Sequence, residues 1–217
     1  LITVARQTAI ALANVWLRER LQRQIANLSA LYEMGQELTA SIQLSEQQIV
    51  ETIYKWASAV MDTKNMYIAL YDETIDEVRF ALAYRNDRSV NVKADDGWQP
   101  RRAGRGRTEE IIRTREPLLS ATRIEAEGWY DPQKGRKDYI QQLFASWVGV
   151  PMIASDKVLG VIATYHATEE YVYDEDHQQV LSMVANQAAV AIENARLFTR
   201  EAQWSRQLAG LQEIGLQ

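Results

Sequence analysis

One helical sentence is written twice in this chain. Leu1-Ile-Thr-Val-Ala-Arg-Gln-Thr-Ala-Ile-Ala-Leu-Ala-Asn14 matches Leu181-Ser-Met-Val-Ala-Asn-Gln-Ala-Ala-Val-Ala-Ile-Glu-Asn194 at a constant offset of 180 residues. The register continues with Leu17 and Leu197, Arg20 and Arg200, Leu28 and Leu208, Leu31 and Leu211, Glu33 and Glu213, and Gly35 and Gly215. Two unrelated amphipathic helices share apolar positions by chance, but not the same Gln, Asn, Arg, Glu and Gly. A repeat of this length is domain-sized, so it predicts a tandem array of whole domains. Residues 1–27 then read as the end of a preceding unit and its linker helix. Residues 28–200 read as one complete domain, and residues 201–217 as the start of the linker to the next. The chain opens on Leu1 with no signal-like segment and reads as a piece of a larger protein.

The helix that carries the second copy has a single apolar stripe. Val180, Leu181, Val184, Ala188, Ala191, Ile192 and Leu197 recur at three- and four-residue steps, as one buried face requires. Asp174 and Asp176 stand where free amide donors and the positive dipole end favour carboxylates. Past this face the pattern becomes a heptad. Leu17, Gln24, Leu31 and Leu38 form one series, and Leu21, Leu28, Gly35 and Ile42 the other. The second copy repeats the first series as Leu197, Trp204 and Leu211. This predicts a dimer seam in a parallel two-helix coiled coil, interrupted at Gln24 and Gly35.

Between the two copies the elements alternate. Ser45 with Gln48 makes a capping box for a helix whose inner stripe is Ile49, Ile53, Trp56, Ala57 and Val60. Met66–Tyr71 and Val78–Tyr84 read as neighbouring strands around an acidic turn. Arginines crowd residues 85–116, where a short helix over Thr108–Thr114 is expected, capped by Thr108; Glu116–Ser120 reads as a short strand. Residues 121–137 read as a second excursion, followed by a short helix near Asp138–Phe144. Ser146–Ile153 and Val158–Tyr165, around Ala154-Ser-Asp-Lys157, make the clearest hairpin.

Val148-Gly-Val-Pro-Met-Ile, Val158-Leu-Gly-Val-Ile-Ala and Tyr173-Asp-Glu-Asp, followed by Val184-Ala-Asn-Gln-Ala-Ala-Val-Ala-Ile-Glu-Asn-Ala-Arg-Leu, resemble the GAF domain. The resemblance spans about residues 28–200. It implies an α+β, GAF/PAS-like fold: an antiparallel sheet of five or six strands with helices on one face, flanked by long N- and C-terminal coiled-coil helices. Loops would cover the other face and enclose a ligand pocket. It also implies parallel homodimers and a sensor role in signal transduction, as in a multi-sensor histidine kinase of a two-component system.

The residue inventory narrows this. There is no cysteine. Thiol catalysis, thiolate metal sites and thioether-linked chromophores are therefore excluded, and with them the bilin-binding and methionine sulfoxide reductase members of the family. The cyclic-nucleotide pattern of other members is half present, with Tyr165-His166 near the place of Asn-Lys and Tyr173 in place of Phe. His166 and His177 alone make no metal site, and Gly104-Arg-Gly106 lacks the strand and Lys-Ser/Thr pair of a phosphate loop. No catalytic residue, cofactor or metal is expected. A net charge of −5 argues against nucleic acid, and no apolar run approaches a membrane span, so a cytoplasmic module without membrane contact is expected. On the strand faces, Tyr67, Ala69 and Tyr71, and Phe80, Leu82 and Tyr84, would line a pocket roofed by Trp98 and Trp129; the same residues also suit a core under a collapsed loop layer. Arg101, Arg102, Arg105 and Arg107 have the fork geometry for an anionic ligand, with Arg105 placed in the pocket. The expected function is a regulatory sensor and dimerisation module that relays ligand or upstream-domain state through its terminal helices. The alternative is a ligand-free structural spacer.

Overall fold

The computed structural model describes residues 45–104, 106–123 and 144–214, together with Val15 and Arg18. The chain enters through Ser45, whose hydroxyl accepts from the Gln48 amide while the Gln48 side chain accepts from the Ser45 amide. This closed capping box starts helix α1 (Glu46–Val60), which buries Ile49, Val50, Ile53 and Ala57. Trp56 and Val60 pack beside them half-buried.

Seven strands form one antiparallel sheet: β1 (Met66–Asp72), β2 (Glu77–Arg85), β3 (Arg88–Ser89), β4 (Arg101–Arg102), β5 (Leu118–Ser120), β6 (Ser146–Ala154) and β7 (Lys157–His166). Their order is β3-β2-β1-β7-β6-β5, with β4 pairing β2 beside that path. The five or six strands expected become seven because β3 and β4 are two residues long, below what alternation can register. The tight turns follow backbone chemistry. Asn86-Asp87 and Ser155-Asp156 all have positive φ, as a two-residue hairpin turn twisted to match its strands requires. At the centre β7 lies so close to β1 that a Cβ on Gly160 would stand 2.1 Å from the Ala69 carbonyl oxygen.

The two faces of the sheet carry separate cores. On one, Met66, Ile68, Leu70, Val148, Val150, Met152 and Ile162 pack against α1 and the long helix α3 (Glu175–Ile214). Asp174 starts α3 by accepting from the His177 amide. Leu181, Val184, Ala185, Ala188, Ala189 and Ile192 then bury against the sheet. On the other face, Tyr67, Ala69, Val78, Phe80, Trp98, Trp147, Val161, Ala163 and Tyr165 pack under the loops and helix α2 (Arg107–Thr114). Helices α1 and α3 thus share one face, and among the described residues α2 is the α-helix on the loop side.

A buried hydroxyl knot joins the two ends of the domain. Thr164 Oγ1 donates toward the carbonyls of Asp62 and Asn65, and the Tyr173 hydroxyl, 3.0 Å from it, donates to Asp62 O at 2.8 Å. These side chains bind carbonyls of the connection between α1 and β1, where Asn65 O also accepts from the Tyr165 amide. Among the described residues, no helix is long and apolar enough to cross a membrane.

One expectation needs correction here. The helix at residues 107–114 starts from Gly106, which offers no side-chain cap; Thr108 lies inside the first turn, and its hydroxyl instead meets the Tyr67 hydroxyl at 2.9 Å. The heptad helix expected from Leu17 to Ile42 and the short helix expected near Asp138–Phe144 lie, apart from Arg18 and Phe144, outside the described residues.

Candidate ligand-binding face and exit helix

The sequence alternation put Phe80, Leu82 and Tyr84 on one face with Tyr67, Ala69 and Tyr71. That grouping fails at a β-bulge. Ile68 pairs Leu82 but Ala69 pairs Phe80, so Ala81 is an extra residue and the phase of β2 flips across it. Phe80 therefore belongs to the loop-side cluster, whereas Leu82 belongs to the helix-side core. Tyr84 lies on the helix side too, stacked on Tyr54 of α1 with ring centroids 3.8 Å apart and planes 3° from parallel.

The remaining aromatic candidates meet one another. Tyr67, Phe80 and Trp98 have centroids 5.6, 5.6 and 4.9 Å apart in tilted and edge-to-face pairs, and all three are buried. They are a filled layer, with Ala69 at its floor. The 3-10 turn Asp96–Trp98 holds Trp98 there, since the Asp95 carboxylate accepts from the Gly97 amide. Burial, partly offset by the Thr108 hydroxyl, pushes the Tyr67 phenol up to about 12. Trp129 and Arg105 lie outside the described residues.

The arginines close over this layer. Arg101 lies 4.9 Å above the Phe80 ring and pairs at 3.0 Å with Glu109, whose side chain is 2% exposed. Arg107 lies 5.4 and 5.3 Å above the rings of Phe144 and Trp147, and burial lowers its pKa. Gly149 makes room for that stack: a Cβ there would stand 2.3 Å from the Trp147 ring and 2.9 Å from Ile111. Arg102 is exposed on β4, opposite Glu77. Of the four arginines expected to converge on an anion, Arg101, Arg102 and Arg107 stand in three different environments, and Arg105 lies outside the described residues.

An open cleft of about 720 Å³ lies beside the layer, between the β1–β2 turn, residues 103–104 and α2. Of the expected pocket residues that are described, Tyr71 alone lines it; Asp76, Glu109, Glu110, Ile112 and Arg113 are additions. The Tyr71 hydroxyl donates to Asp76 at 3.0 Å, and its pKa is raised first by burial and then by that carboxylate. Four carboxylates and two guanidiniums line the cleft, so its field does not favour an anion. Asp76 left a trace in the acidic turn, but its positive φ, which aims it back at Tyr71, is a tertiary outcome. The two histidines serve local structure. His166 Nδ1 accepts from the Glu169 amide, and His177 Nδ1 lies 2.6 Å from the Asp174 carboxylate.

The exit helix is the other functional element. After Ile192 its apolar residues come out of the core: Leu197 is 51% and Trp204 69% exposed, with Val190 one heptad earlier at 48%. Of the remaining seam candidates, Leu17, Leu21, Gln24, Leu28, Leu31 and Leu38 lie outside the described residues, and the Leu211 side chain lies beyond the described side chains.

Comparison with known proteins agrees with this architecture. A family model described as the GAF domain matches residues 43–193. The Nif-specific regulatory protein of Herbaspirillum seropedicae is 25% identical over 193 residues, covering 84% of this chain and 34% of that protein. The chain thus spans about a third of that relative's length. Among solved structures, the GAF domain of a phosphoenolpyruvate-protein phosphotransferase from Coxiella burnetii aligns with a TM-score of 0.60 at 16% identity, over 80% of this chain and 96% of that one. Its Acinetobacter counterpart gives 0.59 at 16% identity, over 78% and 94%. Residues 122 to 287 of a methyl-accepting chemotaxis protein give 0.58 at 13% identity, over 76% and 98%. With its two-faced antiparallel sheet and with more than half its length matched by the family model, the chain belongs to the GAF domain family.

Proposed function

We propose that this chain is a regulatory sensor and dimerisation module of a larger signal-transduction protein, one of a tandem series, without chemistry of its own. The parent is read as a cytoplasmic two-component sensor such as a histidine kinase. The observation that carries the reading is α3: one uninterrupted helix whose first half is buried in the domain core and whose second half presents Leu197, Phe198 and Trp204 to solvent. Such a helix joins core packing to a surface suited to a second copy, so a bias in one is felt in the other. The exposed series Val190, Leu197, Trp204 has the seven-residue spacing of a coiled-coil seam. A relative named as a regulatory protein and a structural neighbour named as a chemotaxis protein support a signalling context.

A second reading, the ligand-free spacer, is favoured by the filled aromatic layer of Tyr67, Phe80 and Trp98. Mass spectrometry of small molecules released from the purified chain, with an absorption spectrum, separates the two. A stoichiometric ligand that is lost on enlarging Gly104 or Ile112 at the cleft supports sensing. Dimers that release nothing, and whose thermal midpoint no metabolite pool shifts, support the spacer.

A further inference from the structure

The strongest unexplained feature lies where the chain enters and leaves the domain. Glu46 is the first residue of α1, directly after the Ser45 cap. Its Oε1 is held by Arg79 Nη2 of β2, and its Oε2 stands 3.5 Å from Arg196 Nη2 of α3. Arg196 is one turn beyond Ile192, the last residue of α3 buried among those whose side chains are described, and next to the exposed Leu197. One turn earlier, Glu193 of α3 accepts from the hydroxyl of Ser155 at the β6–β7 tip, at 3.0 Å. The exit helix is therefore pinned by polar contacts at the point where it leaves, and one of them runs to the residue where the chain arrives.

We infer that Glu46 is a coupling residue that carries displacement of the incoming chain directly to the exit helix through Arg196, without passing through the sheet or the loop-side face. The inference rests on the relay reading for its meaning. It deepens that reading by giving upstream input a route distinct from any ligand input. The sharing of one carboxylate between two guanidiniums is what makes the contact adjustable. A shift of the first turn of α1 favours either the Arg79 or the Arg196 arm, and only the second holds α3. Arg196 has the Asp72 carboxylate nearby as an alternative partner. The Glu46 and Arg196 side chains are each 32% exposed, so the contact is weak enough to switch and open to screening by salt.

Hydrogen exchange read by mass spectrometry on the full chain tests this. Ser45→Ala loosens the first turn of α1. It should speed exchange at residues 46–52 and also at residues 193–200, by about two- to fivefold, the range a contact of this strength sustains. In a Glu46→Gln or Arg196→Gln background, Ser45→Ala should still loosen residues 46–52 but add nothing at 193–200. Molar salt should reproduce the Glu46→Gln behaviour in the unaltered chain. The inference is overturned if residues 193–200 ignore Ser45→Ala, or if they respond equally with and without Glu46. It is also overturned if β7 amides speed up in parallel, since that means global loosening. Failure of the sensor reading is visible elsewhere: a chain that stays monomeric and binds nothing sinks the relay and leaves these exchange rates unchanged.

Discussion

At the scale of single residues, this domain pairs several of the charged and hydroxyl groups that it buries. Glu109 is the sharpest case, because its buried carboxylate faces the Arg101 guanidinium. Arg101→Met should destabilise the domain by about 3 kcal/mol, since removing one partner of a buried pair strands the other charge; the midpoint of urea unfolding reads this directly. Tyr67 makes a pH prediction. Its folded pKa, about 12, lies above the unfolded value near 10, so its contribution is fully present below pH 10 and is lost as pH rises toward 12. Burial also raises Tyr165 and Tyr173, so urea midpoints measured from pH 8 to 11.5 should fall on the alkaline side, and Tyr67→Phe should make that limb shallower without abolishing it, at a neutral-pH cost of about 1 kcal/mol for the lost hydrogen bond. An alkaline limb of equal slope in Tyr67→Phe would remove Tyr67 as its source. Little of this was legible beforehand. Arg101 and Arg107 were visible as a charge run, but whether a guanidinium points to solvent, to a ligand or onto an aromatic ring is settled by neighbours distant in sequence.

At the scale of elements, the local rules were readable where the signal is local. The Ser45–Gln48 box, the Ser155-Asp156 hairpin and the Asp174 start of α3 all depend on residues within four positions of each other. Asp174→Ala should cost about 1 kcal/mol while Asp174→Asn costs little, because either side-chain oxygen can accept from the His177 amide; thermal melts of the two variants compare them. The illegible part is the bulge. Nothing in Val78–Tyr84 marks Ala81 as the extra residue, because the apolar alternation runs through it unbroken, and so two of the three aromatic and aliphatic candidates on β2 were assigned to the wrong face. The close approach at Gly160 is also a long-range fact. Gly160→Ala should reduce stability by about 3 kcal/mol or more, since the added methyl meets the Ala69 carbonyl, which cannot rotate away.

At the scale of the whole molecule, fold class was the easiest inference, because the residues that carry the resemblance to the GAF domain run continuously through the last hairpin and the long helix. The candidate site was the hardest: of nine expected pocket residues, the structure brings Tyr67, Ala69, Phe80 and Trp98 into a packed layer and puts Tyr71 alone on the cleft. The repeat around Leu1 and Leu181 gives the assembly prediction. Light scattering on the chain should report a dimer at micromolar concentration, and Leu197→Glu with Trp204→Glu should shift it to monomer without loss of helix by circular dichroism, since both side chains already face solvent. Retention of the dimer would place the interface elsewhere. Finally, α3 has a mechanical consequence. Ile192 is its last buried residue among the described side chains, yet the helix runs on to Ile214, so roughly 33 Å of helix follows Ile192 at a rise of about 1.5 Å per residue. Geared that way, a tilt of about 5° at the anchor sweeps the far end through roughly 3 Å, about half the pitch of the helix. A repacking too small to notice inside the domain becomes, at that distance, a sideways displacement as large as the gap between packed side chains.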